Sequence, residues 1–197
     1  MAIAINGTGT LTGVSVGGLP NGIVDTDMLA ANAVSTAKIA DDAVTAAKRG
    51  TGGILQIIHG YYEVSVSSTS TSYVDTGLSK SITPLKTGSR IIVVVNQNIY
   101  FTRATATFGG GIKIVRDSTD VFTPAVKYQT WYSLAGVTTG SWRGMVPLVH
   151  YDNHGVTAGT ATTYKTQMAL HVNSSSGQVY SQVQNNRSTM TLIEVDV

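Results

Sequence analysis

Beyond Gly53 the sequence turns into a series of β-branched or alternating runs separated by turn-rich stretches: ILQIIHGYYEVSVSS, RIIVVVNQNIYF, GIKIVRD, GMVPLVHY, TYKTQMALHV, GQVYSQV and STMTLIEVDV. Residues 164 to 172 alternate most clearly. Tyr164, Thr166, Met168, Leu170 and Val172 fall on one face, with Lys165, Gln167 and His171 on the other, because successive side chains of a strand point to opposite sides. Turn signals recur close to every ten residues, which predicts about eight or nine strands in an antiparallel β-sandwich of jelly-roll-like kind over residues 51–197. A mainly β fold also suits the composition. Hydrophobic residues make up 42% of the chain, enough for a core, while charged residues are only 12%, about half the usual share of roughly 25%. Ser, Thr, Asn, Gln and Gly must supply most of the polar surface. Such a surface suits burial against other subunits, since charge is costly to desolvate. At 197 residues the chain has room for one ordinary domain and an extension.

The first 50 residues follow a different rule. Residues 6–22, NGTGTLTGVSVGGLPNG, read as short extended pieces and tight turns. From Leu29 a ten-residue repeat begins: LAANAVSTAK aligns without gaps with IADDAVTAAK, and the register extended backwards gives a large apolar residue every five positions, at Leu19, Val24, Leu29, Val34, Ile39 and Val44. Five residues advance a straight α-helix by ~500°, about 140° net, so the rungs share no helical face. An odd step also flips sides in a strand, and a heptad register gives a thin, alanine-rich seam. Two readings stay open. One is a string of short helical turns and bends; the other is a single Ala-rich helix from about Asp27 to Lys48, capped by Asp25 or Thr26 and stopped by Gly50. Either segment buries too little apolar surface to offset its chain entropy alone. Residues 1–50 are therefore expected to form an anchor or stalk that packs on copies of itself.

Several function classes find no support. The net charge is +2, and Lys80, Lys86, Arg90, Arg103, Lys113, Arg116 and Lys127 are scattered, whereas a nucleic-acid footprint is clustered. Cysteine is absent, which removes disulfides, thiolate zinc sites and a Cys nucleophile. MAIAINGTGTLTG lacks the basic start and apolar stretch of a signal peptide. The apolar run Ile91–Val95 is strand-sized, far short of the ~20 residues of a membrane helix, so no membrane insertion is expected.

Candidate chemistry is sparse. His150, Asp152 and His154 in HYDNH would share a face if extended, and His/Asp/His is a possible ligand set; Asn153 and Gly155 instead mark a turn, and surface polar roles are expected. His59 and His171 sit on strand-like runs and read as half-buried or interface side chains. Phe108-Gly109-Gly110-Gly111 has no GxGxxG or GK[ST] context and reads as a bend or bulge. The serine tracts SVSSTSTS and NSSSG read as loops, and no G-x-S-x-G elbow is present. Glycan cleavage usually needs a carboxylate pair, yet Asp117 and Asp120 flank a turn, RDSTD, that explains them. No catalytic residue, cofactor or metal is expected, so the chain reads as non-enzymatic. Tyr128, Trp131, Tyr132 and Trp142 lie in KYQTWYSLAGVTTGSWRG beside Lys127 and Arg143. Aromatic planes pack cores, stack on sugars and anchor interfaces; if the domain has a recognition or subunit-facing surface, it is expected here.

Two stretches resemble recurrent segments of tailed-bacteriophage virion proteins, in particular tail-fibre-like proteins of phages of marine bacteria and cyanobacteria. One is residues 6–48 with the junction GGILQ at Gly52–Gln56. The other is divided over residues 69–95, TSTSYVDTGLSKSITPLKTGSRIIVVV, and the C-terminal TYKTQMALHVNSSSGQVY and STMTLIEVDV. The resemblance implies a homotrimer in the virion, assembled in the bacterial host cytoplasm. Its N-terminal region would attach to other phage tail or capsid proteins, and its β domain would contact host surface glycan or protein. Head-decorating cement proteins with similar β modules and repetitive arms are the alternative. The family pattern carries no catalytic residues.

Overall fold

A computed structural model describes residues 52–103, 108–133, 140–172 and 177–197, together with positions 34, 35, 39, 40, 43 and 44. The chain divides into two units, residues 1–45 and 46–197. In the first, the ladder residues Val34, Ile39 and Val44 each lie at a bend, with their side chains exposed. The Ala43 N–H donates to the Ala40 carbonyl at 3.0 Å. These three rungs are bends, not helix; Leu19, Val24 and Leu29 lie outside the described residues.

The second unit is mainly β, built from two antiparallel sheets. Its strands are β1 (Ile54–Tyr62), β2 (Val66–Ser68), β3 (Val74–Ile82), β4 (Arg90–Arg103), β5 (Phe108–Arg116), β6 (Thr119–Phe122), β7 (Trp131–Ser133), β8 (Gly140–Asp152), β9 (Thr162–Leu170), β10 (Gln178–Ser181) and β11 (Ser188–Val195). Sheet A runs β1-β11-β4-β10-β2, with β8 on the other side of β4; sheet B runs β3-β9-β5-β6, with β7 also on β5. The long β4 organises sheet A. β11 pairs with its first half and β10 with its second, while β8 pairs along nearly all of it, from Ile91↔Asp152 to Arg103↔Gly140.

Eleven strands among the described residues exceed the expected eight or nine, and the surplus is informative. β3, VDTGLSKSI, hides its strand character in small polar residues, and β2 lies inside a serine tract that reads as loop. The glycine run Gly109–Gly111 is no bend: it is the regular start of β5, paired with both β7 and β9.

Period-2 alternation sorts the side chains of β4. Ile91, Val93, Val95, Gln97, Ile99 and Phe101 are all buried between the sheets. The core is correspondingly in two parts. One gathers Leu78, Ile82, Ile91, Val93, Val95, Ile114, Tyr164, Met190 and Leu192; the other gathers Ile99, Phe101, Phe108, Ile112, Met168, Leu170 and Val179. Gln97 marks the division. Its Oε1 accepts from Thr166 Oγ1 at 2.7 Å, whose oxygen lies 2.6 Å from Thr76 Oγ1, and its Nε2 donates to Ser188 Oγ at 2.8 Å and to Ser181 Oγ. Gln182 completes this polar layer, 2.8 Å from Ser188 Oγ. Mutual hydrogen bonds offset the desolvation cost of these buried polar groups.

The outer faces of the two sheets differ in chemistry. On sheet B, Asp75 accepts from Lys165 Nζ at 2.9 Å and Gln167 Nε2 at 2.7 Å, Lys113 pairs with Asp120, and Ser81 meets Thr163. On sheet A the register sets Tyr151, Ile92, Ile193 and Ile57 in one row across β8, β4, β11 and β1, and Val149, Val94, Thr191 and His59 in the next.

Candidate functional site

Strand directions give the sandwich two poles. Residues 52 and 53 join at the near pole, where the Gly52 N–H donates to the Asp196 carbonyl at 2.8 Å and the Asp196 N–H donates to the Gly53 carbonyl at 2.9 Å. There β4 begins, Arg90 opposite Val195. At the far pole β4 ends, β8 begins, and β5 starts at Phe108.

The far pole carries the aromatic residues, and the three glycines of β5 make room for them. A Cβ on Gly109 would sit 2.6 Å from Tyr128 Cβ and 2.7 Å from the Trp131 carbonyl; one on Gly111 would strike the Lys127 backbone, and one on Gly110 the Phe101 ring. Side chains at Gly109 and Gly111 would therefore lift residues 127–132 off the strand, and one at Gly110 would displace Phe101. With glycine, the Thr130 and His171 N–H groups reach the carbonyls of Gly110 and Gly109 at 3.2 and 2.8 Å. Trp131 stacks on Phe101 (centroids 5.8 Å apart, planes 20°) and meets Phe108 edge-on at 5.7 Å, and Trp142 lies 6.2 Å from Phe101. Both tryptophans pack against the second core cluster. Tyr128 and Tyr132 are different: their rings lie 4.7 Å apart, with His171 4.5 Å from Tyr128, and Tyr132 is 42% exposed. Lys127 Nζ donates to the Thr71 carbonyl at 2.5 Å, which holds a cation beside this rim. The four aromatics singled out by sequence thus separate into a core pair and a rim pair.

The near pole is held by a buried carboxylate. Glu194 is inaccessible to solvent and accepts from the Leu85 N–H at 3.0 Å, the Lys86 N–H at 3.1 Å, Ser89 Oγ at 2.6 Å and Gln56 Nε2 at 2.6 Å. Burial opposes its charge, but these donors outweigh it and hold the carboxyl below its ordinary pKa. His154 is buried beside it, its Nε2 3.3 Å from Ser89 Oγ and its Nδ1 accepting from the Val156 N–H at 2.8 Å. Burial lowers the His154 pKa, against the raising influence of Asp152 and Glu194. Asp152 accepts from Arg116 Nη1 at 2.6 Å and Tyr164 Oη at 2.7 Å; burial and this bond raise the tyrosine's pKa. Lys86 pairs with Asp196.

The surface roles expected of HYDNH do not hold: Asp152 and His154 are buried and His150 is half-buried, because the extended chain turns them inward, but each has its own partner, His150 packing 6.2 Å from Phe122. Among the described residues no three His, Asp or Glu side chains stand ready to hold a metal. Asp117 takes a left-handed turn conformation, φ 51°, and its carboxylate accepts from Thr162 Oγ1 and the Thr163 N–H. Asp120 is paired to Lys113. Glu194 escaped sequence reading, although the alternation Ser188, Met190, Leu192, Glu194 places it on the buried face. A half-open cavity of about 220 Å³ lies between β8 and the segment after β6, lined by Ile112, Phe122, Gln129, Val146 and Leu148 among others; it holds no titratable group. The sequence matches no known family model and no curated protein.

Proposed function

We propose that this chain is a non-enzymatic structural protein of a tailed-phage virion, a short tail fibre or fibre-like homotrimer. In this reading residues 1–50 attach it to the particle and its β domain faces the host surface. One observation carries the reading: the chain joins the sandwich at one pole, and the rim of exposed Tyr132 with half-buried Tyr128 and His171 lies at the other. A module tethered at its near pole presents that rim outward, where tyrosine and imidazole faces suit sugar or protein contact. The near-pole carboxylates, the groups from which acid–base catalysis is usually built, are bound into hydrogen bonds that close the sandwich. The strand orders β1-β11-β4-β8 and β3-β9-β5-β6 are those of a jelly roll, an architecture used by viral coat and sugar-binding domains; that likeness is an analogy of fold.

A capsid decoration protein is the alternative, favoured by the apolar outer face of sheet A, which suits packing on a shell. Reconstruction of the phage particle, with antibody labelling of this chain, separates the two. Density at the tail, with host-cell binding weakened at least several-fold by Tyr132→Ala, is expected. Density on the capsid surface selects the cement reading, and absence from the particle overturns both.

A further inference from the structure

We infer that copies of this chain associate through the outer face of sheet A. The inference deepens the self-assembly part of the reading above and rests on it, but not on where the protein sits in a particle.

The two sheets form an internal comparison. Both are four strands or so wide, made by one chain in one solvent, yet sheet B covers its outer face with ion pairs and hydroxyls, while on sheet A the polar contacts are the His59–Thr191 hydrogen bond and, at one edge, the Glu63–Arg187 pair beside Tyr61. Between Arg90 at one end of β4 and Arg143 near the other, the outward positions of β1, β11, β4 and β8 carry no carboxylate, lysine or arginine. Large apolar side chains stand in water there: Val149 is 66% exposed, Ile57 56%, Tyr61 and Tyr151 53% each, and Met145 43%. Single exposed apolar residues are ordinary, but a contiguous face of them marks a contact surface.

The size fits a protein partner. β4 and β8 have 14 and 13 residues and β1 and β11 have 9 and 8, so two strands of roughly 46 Å and two of roughly 29 Å give a face of about 700 Å², close to the ~800 Å² per partner of a stable interface. The chemistry favours a second copy. A partner bearing charge finds counter-charges only at the margins, at Arg90, Arg143 and the Glu63–Arg187 pair beside Tyr61, whereas a copy of the same face brings matching aliphatic and aromatic rows to its centre. Its polar groups, among them Asn96, Thr189 and Thr191, are amides and hydroxyls that both donate and accept, so identical surfaces can satisfy one another. Addition of a strand to the β8 edge is disfavoured, because Pro147 sits in mid-β8 without an N–H to offer. The contact is face to face.

The test uses the full chain. Wild type is expected to show a solution mass that is a multiple of 20.6 kDa at micromolar concentration. Val149→Glu and Ile57→Glu should each weaken the assembly, raising its dissociation constant at least tenfold with unchanged far-ultraviolet circular dichroism, while Ser79→Glu on the polar face of sheet B should not. Since the chain has no cysteine, Val149→Cys and Ser79→Cys give a second readout free of any added charge. The thiol at 149 should react with a soluble disulfide reagent at least tenfold more slowly than that at 79, and the difference should vanish on dilution to monomer. A monomeric wild type overturns both the inference and the self-assembly reading. An oligomeric wild type with equal thiol rates overturns only the face assigned here.

Discussion

At the residue scale, Glu194 shows how one side chain closes a pole of the molecule. Its carboxylate gathers the Leu85 and Lys86 N–H groups, Ser89 and Gln56, tying the turn before β4 to the first and last strands. Because its folded pKa is depressed, its contribution to stability is complete above the ordinary Glu value of ~4.3 and disappears as pH falls through the folded value. His154, also depressed, prefers its neutral form in the fold, so its contribution is complete above ~6.5 and declines as pH drops below that. Both act in one direction. The urea midpoint should be flat near neutrality, begin to fall below about pH 6.5, and fall again below about pH 4.3. Glu194→Gln should shrink the lower step to the part that Asp75 supplies, whose carboxyl is also held down by Gln167 and Lys165, keep the upper one, and cost about 1–3 kcal/mol at pH 7, since an amide cannot accept from every donor that faces it.

At the level of elements, β5 joins the core to the rim. Gly110→Ala would push a methyl against the Phe101 ring and toward the Ala169 carbonyl, at 2.8 Å. A loss of about 3 kcal/mol, the upper end for overpacking, is expected as a lowered midpoint in thermal unfolding. The strands most visible in the sequence are those built from β-branched residues: RIIVVVNQNIYF gives β4, and STMTLIEVDV gives β11. β3 was not legible, because Thr76, Gly77 and Ser79 carry no apolar period, and what holds it is pairing with β9 and the Thr76–Thr166 contact. The glycine run misled for a related reason. Local rules read Gly-Gly-Gly as a turn, whereas here small size serves close approach of the Lys127–Tyr132 segment, a long-range fact. The aromatics were found as a group, but only pairing across β5 and β7 decides that Trp131 faces Phe101 while Tyr132 faces out.

For the whole molecule, the described residues of the second unit account for both core clusters and the polar layer between them. A chain lacking residues 1–50 is therefore expected to give a folded β domain, with a cooperative unfolding transition and the circular dichroism of a sheet protein. Under the virion reading it should no longer attach to particles in a co-sedimentation assay; retained attachment would move the anchor out of residues 1–50. The pairing of β1 with β11 has a mechanical side as well. β1 runs from the near pole toward the far one, with Ile54 opposite Val195 and Tyr62 opposite Ser188, and antiparallel hydrogen bonds lie across the strand axis. A pull on residue 52 against a load at the far pole would shear this ladder as one unit. A pull between residue 52 and Val197 would instead open it like a zip, one bond pair at a time, so the module is strongest along the line in which a tethered, host-facing protein would be loaded.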